Sequence, residues 1–201
     1  MRGFVANWLK PILWVFIAGV FLVGPLDLFH TCNGVQTYLI RRALTPQCNW
    51  PWYIPFQMGF SGILILFGWV AFKRSLSGRF KRRDSRFENE TGFLIPLAIL
   101  LQALGYLLGY YLVDSPSHLN YYIFLWMASI FYLTLSQRKI YVLAFILIGL
   151  VGILGESVLL DLKVGYFRYT QNDLLGRAPA WLLFTYGWAG VFVQEVSKKL
   201  D

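Results

Sequence analysis

Charge is scarce in this chain. Asp, Glu, Lys and Arg make up only 14% of its 201 residues, where a soluble globule carries about a quarter. Histidine is scarcer still, His30 and His118 being the two present. That excludes membrane di-iron enzymes, which need many imidazole ligands, and haem bundles, which need His pairs inside their helices. No HExxH, P-loop, GxGxxG, GxSxG or CxxC pattern occurs, so neither a metal nor a nucleotide cofactor is expected. Cysteine is limited to Cys32 and Cys48. Both fall in one connection, where they pair if that side is oxidising and otherwise stay free thiols.

Apolar side chains fill the space that charge leaves. Hydrophobic residues reach 57% and the mean hydropathy is +0.55, the composition of an integral membrane protein. Crossing about 30 Å of hydrocarbon takes about 20 mostly apolar residues. Six stretches meet or approach that length: 11–29, 52–72, 91–113, 119–135, 140–160 and 179–193. The expected fold is therefore all-α, a six-transmembrane-helix bundle in one integral membrane domain over residues 1–201. The first run ends in Gly24-Pro25 with no small-x-small cleavage site, so it reads as a retained span rather than a signal peptide. Between the first two spans, the partly apolar piece 35–44 is expected to lie along the interface.

The net charge of +8 does not point to nucleic acid. Seven of the 18 Lys and Arg crowd into residues 73–86 between two apolar runs, with no interleaved aromatics for bases to stack on. Such a cluster reads as a cytoplasmic loop, 73–90, that orients the spans. With both termini cytoplasmic, thirteen basic residues fall inside and five outside. Trp50, Trp52, Tyr53, Tyr110, Tyr111, Tyr121, Tyr122, Tyr166, Tyr169 and Trp181 then gather at the outer interface, where amphipathic rings are enriched. Lys198 and Lys199 near the cytosolic end match a dilysine retrieval signal. The expected location is the endoplasmic reticulum in a eukaryote and the inner (plasma) membrane in a bacterium.

Small residues recur at helical spacing. Gly105 and Gly109 form a GxxxG step, Gly149, Gly152 and Gly155 recur every third residue, and Gly59/Gly62 and Gly187/Gly190 do likewise. They let helix backbones approach in lipid, which signals a compact bundle and no particular activity.

Candidate chemistry lies at the outer ends of spans. Asp27 sits about 25 Å along the first helix, and His30 at i+3 shares its face. Glu156 follows sixteen residues without a charge. Ionisable groups at membrane depth are costly and suggest function, so Asp27, His30 and Glu156 are candidates for an outer-leaflet acid/base site. The plainer alternative makes them hydrated span ends, or partners of Arg41, Arg42, Lys163 or Arg168. Glu156 is expected to face the bundle interior, beside Gly149, Gly152 and Gly155. Two amides, Gln57 and Gln102, are the other intramembrane polar groups; each either bonds a neighbouring helix or meets a ligand hydroxyl.

Two segments carry a family resemblance. The second span opens with Trp50-Pro-Trp-Tyr-Ile-Pro55 and then Gly59, and Gly165-Tyr-Phe-Arg-Tyr-Thr170 leads to Trp181. In this order the pieces resemble the insulin-induced gene (Insig) proteins, six-span membrane proteins with cytosolic termini. The resemblance implies a bundle with a lipid or sterol cavity and no catalysis. It departs from the family at Ser136-Gln-Arg-Lys139, where the acidic residue the family uses toward its sterol-sensing escort protein is missing.

Three functions remain open on these grounds. The first is a non-enzymatic lipid- or sterol-binding protein with Gln57, Gln102 and Glu156 as ligand-binding residues. The second is a small membrane enzyme acting on an isoprenoid or lipid through Asp27, His30 and Glu156. The third is an accessory subunit packed against another membrane protein.

Overall fold

The computed structural model describes residues 2–39, 43–45, 48–75, 93–136, 139–161, 167–170, 173–174 and 178–200. The chain opens with helix α1 (Arg2–Ala18), a π turn (Gly19–Val23) and α2 (Gly24–Cys32). Pro25 has no N–H to offer the carbonyl four residues back. The helix widens over the preceding turn, where the Gly24 N–H reaches the Gly19 carbonyl five residues back. One extra residue in that turn rotates the faces of α2 by about 100°, and Asp27 and His30 both come to face inward.

Helix α2 stops at a Schellman motif. The Gly34 N–H bonds the Thr31 carbonyl at 3.3 Å and the Val35 N–H bonds that of His30 at 3.0 Å. Gly34 holds the positive φ of 76° that such a stop requires. Short strands come next: β1 (Gln36–Tyr38), β2 (Ala43–Thr45) and β3 (Cys48–Pro51), with β4 (Phe167–Tyr169) much later. β1 pairs antiparallel with β4, and β2 with β3. An all-α reading misses these two ribbons because strands of three or four residues leave no period-2 signal. The piece expected along the interface instead contributes to this strand-built cap. A Cys32–Cys48 disulfide ties the end of α2 to β3.

The remaining α-helices among the described residues are α3 (Ile54–Ser75), α4 (Leu94–Tyr111), α5 (His118–Leu135), α6 (Lys139–Asp161) and α7 (Trp181–Ser197). Among the described residues, four stretches are long and apolar enough to cross a membrane: Asn7–Cys32, Ile54–Ser75, Leu94–Tyr111 and Lys139–Val158. The span read at 91–113 thus narrows to α4. The basic loop read at 73–90 lies outside the described residues from 76 onward.

Helix α7 is the axis of the bundle, buried on nearly every face and packed mainly on α6 and α4. Glycines make this possible. A Cβ on Gly105 would stand 2.5 Å from Thr185, and one on Gly190 would stand 2.5 Å from the Ala144 carbonyl oxygen. Gly149 and Gly152 face α7 in the same way, whereas Gly155 faces open space.

At the end of the bundle opposite the cap, α7 is pinned by polar bonds. Trp69 donates to Gln194 Oε1 at 2.8 Å, and Tyr141 donates to Glu195. Lys198 Nζ lies 3.3 Å from Glu195 Oε2 and 5.2 Å from the centre of the Tyr141 ring.

Candidate functional site

At the cap end, the chain buries a layer of polar and aromatic side chains. Asp27 is 3% exposed. Its Oδ1 accepts from Gln36 Nε2 at 2.5 Å, and its Oδ2 from Tyr38 Oη at 2.9 Å and Trp50 Nε1 at 2.8 Å. Strand alternation turns Gln36 and Tyr38 to the same face of β1, and the disulfide holds β3 where Trp50 reaches in. Burial and the Asp27 charge raise the Tyr38 phenol above its ordinary value, so it stays a donor. The carboxyl is saturated by three neutral donors.

His30 does not pair with Asp27. Its Nε2 lies 2.5 Å from the Tyr106 carbonyl oxygen. A carbonyl only accepts, so Nε2 carries the hydrogen and Nδ1 of the neutral ring is an acceptor. That Nδ1 is buried without a partner. The imidazole stands edge-on to Trp181 at 4.6 Å between ring centres and lies 4.9 Å from Tyr106. Trp181 also meets Tyr106 at 4.9 Å and Tyr169 at 6.1 Å.

Glu156 faces inward, as expected. Tyr186 Oη donates to its Oε1 at 2.5 Å, while Oε2 is buried with no hydrogen-bond partner. Tyr169 lies within hydrogen-bonding reach of the carboxyl, and Asp27 acts on it electrostatically. Burial, then the nearness of Glu156, raises the Tyr169 phenol above its usual value. Asp27, His30 and Glu156 therefore belong to one layer, but each has a separate set of partners.

The amides fall elsewhere. Gln57 is exposed on α3, and Gln102 is half-buried on α4, held by no hydrogen bond among the described residues. Trp50, Tyr122, Tyr169 and Trp181, read from the sequence as interfacial rings, are buried, whereas Trp52, Tyr111 and Tyr121 stay exposed. Sequence reasoning missed Gln36, Tyr38, Tyr106 and Tyr186 as partners of the layer. Only the Gln36/Tyr38 alternation could have flagged two of them, and only once a strand was suspected.

The orphaned atoms define what the layer can do. Glu156 Oε2, His30 Nδ1 and Trp181 Nε1 are all buried and unpartnered, and Tyr122 Oη joins them. His30 Nδ1 accepts and Trp181 Nε1 donates, so the layer offers both polarities to a group such as a hydroxyl. No group of three or more His, Cys, Asp or Glu among the described residues is arranged to hold a metal ion.

No protein-family model and no curated protein matches the sequence. The fold is similar to the crystal structure of an Insig homologue from Mycobacterium vanbaalenii, at 16% identity, 94% coverage of each chain and a TM-score of 0.62. The likeness to Insig proteins suggested by the tryptophan–proline entry and the 165–170 segment is thus a likeness of fold, and the chain is a multi-pass integral membrane protein.

Proposed function

We propose that this chain is a non-enzymatic membrane protein that binds a lipid or sterol by a hydroxyl seated in the cap-end polar layer. One observation carries the reading: Glu156 Oε2, His30 Nδ1 and Trp181 Nε1 are buried without partners around one aromatic cluster. An unsatisfied buried polar group costs about 1–3 kcal/mol, and a hydroxyl, donor and acceptor at once, satisfies two of them. The saturation of Asp27 and its separation from His30 argue for binding rather than acid/base turnover. The membrane topology in this proposal has six spans, α5 and α7 included, with the cap outside and both termini in the cytoplasm. The proposed location is the endoplasmic reticulum if the source is eukaryotic and the plasma membrane if it is bacterial.

The test is mass spectrometry of neutral lipids that co-purify with the chain. Glu156→Gln should lower their molar ratio to protein severalfold, and Asp114→Asn, at an exposed turn, should leave it alone. Preparations free of lipid in stoichiometric amount, or equal retention by both variants, would defeat the reading.

A further inference from the structure

Helix α5 is the most loosely held helix of the bundle. Only Tyr122, Ser129 and Leu133 of it are buried, while Phe124, Phe131 and Leu135 stand about two-thirds exposed. Its cap-end start is tied down differently. His118 Nδ1 lies 2.5 Å from the Ser115 carbonyl oxygen, and Nε2 lies 2.7 Å from Asp173 Oδ1. Both partners only accept, so both ring nitrogens must carry hydrogen, and the ring that satisfies them is the imidazolium. Asp173 passes the restraint on, its Oδ2 accepting the Ala180 N–H at 3.0 Å in the turn that starts α7. The chain of bonds from Ser115 to Ala180 therefore joins the first turns of α5 and α7. Directly after it come Trp181 and Tyr122, which pack in one cluster with Tyr106 and Tyr169.

We propose that the seam between the cap-end turns of α5 and α7 is the lateral entrance to the polar layer, and that His118 is the clamp that closes it while protonated. The entrance rests on the lipid-binding reading, whereas the clamp does not. Loss of the proton turns one lone pair of the ring toward an oxygen acceptor and breaks that tie. The Asp173 hydrogen bond, followed by the Ser115 carbonyl, raises the His118 pKa against the opposing effect of burial. The clamp is therefore whole below the ordinary histidine value and is lost as pH rises through the raised one. Among the described residues, Asp173 is the charged group that acts on the imidazole, and Tyr122 faces that carboxylate from α5.

The experiment uses the full chain in lipid nanodiscs, with spin labels at Tyr121→Cys and Thr37→Cys, both exposed, and Cys32 and Cys48 left paired. At pH 5.5 one short distance is expected. Above the clamp's pKa a longer population should appear, and His118→Gln should show it at both pH values. In parallel, exchange of the fluorescent sterol dehydroergosterol should accelerate about tenfold over the same pH range in the unlabelled chain, the effect of losing one charge-assisted bond, and be flat with pH in His118→Gln. Distances that ignore pH, or a pH response that survives in His118→Gln, overturn the clamp. Distances that respond while sterol exchange does not overturn the entrance. No sterol uptake at any pH, with the distances still responding, sinks the lipid-binding reading and the entrance together while the clamp stands.

Discussion

Asp27 makes no ion pair among the described residues, yet it is buried at the cap end. Three neutral donors replace the water it gives up: Gln36 on one oxygen, Tyr38 and Trp50 on the other. An amide cannot copy this. Whichever way a substituted asparagine turned, its NH2 would meet at least one donor. Asp27→Asn should therefore cost about 2 kcal/mol, and Asp27→Ala, which orphans all three donors, about 4 kcal/mol. Thermal unfolding of the purified chain in detergent reads both. A melting temperature that stays within a degree of wild type in Asp27→Ala would mean that water reaches the donors and that the network does not hold the cap.

The glycines of α6 act at the scale of the helix, and they are not equivalent. A Cβ on Gly152 would stand 2.4 Å from the Tyr186 ring, whereas one on Gly155, three residues on, meets nothing within 4 Å. Tyr186 is the donor to Glu156. Gly152→Ala should thus destabilise by about 1–3 kcal/mol and displace the Glu156 partner. Gly155→Ala should be neutral or slightly stabilising, since alanine is the better helix former by about 1 kcal/mol. Thermal melts of the two variants side by side decide it, and similar losses from both would show that α6 packs differently. The cap has its own restraint in the Cys32–Cys48 bond, which closes a loop of sequence separation 16. A loop of that size is worth about 3 kcal/mol, so reduction should lower the melting temperature and release Trp50 from Asp27. An unchanged melt after complete thiol titration would contradict that role.

For the molecule as a whole, the question is how its helices sit in the bilayer. Every backbone polar group in hydrocarbon must find its partner within the protein, which helices achieve alone. Loops have no such freedom, so the two ribbons of the cap belong at a membrane surface or under cover of the bundle. On the proposed six-span topology thirteen basic residues fall on one side and five on the other, and the cap then lies outside. Impermeant thiol labelling of Ser85→Cys and Ser117→Cys in intact cells should modify Ser117→Cys and spare Ser85→Cys. Modification of both would break the six-span topology.

The membrane class, the approximate place of the helices and the inward face of Glu156 were determined by sequence alone. Each rests on a local cost that any fold must meet: the transfer of some 20 residues into hydrocarbon, or of a charge into it. The Insig-like layout was legible for a similar reason, since Trp50-Pro-Trp-Tyr-Ile-Pro55 marks where a span begins whatever it packs against. The partners of the polar layer were not legible. Tyr106 and Trp181 lie 76 and 151 positions beyond His30 in the chain, and periodicity carries no information about which faces of two distant helices meet. Only packing around α7 decided that Trp181 is a core side chain rather than an interfacial one. Only the chain's return through β4 and β1 set Gln36 and Tyr38 over Asp27, because a carboxyl at a span end accepts whichever donors the tertiary structure brings within about 3 Å.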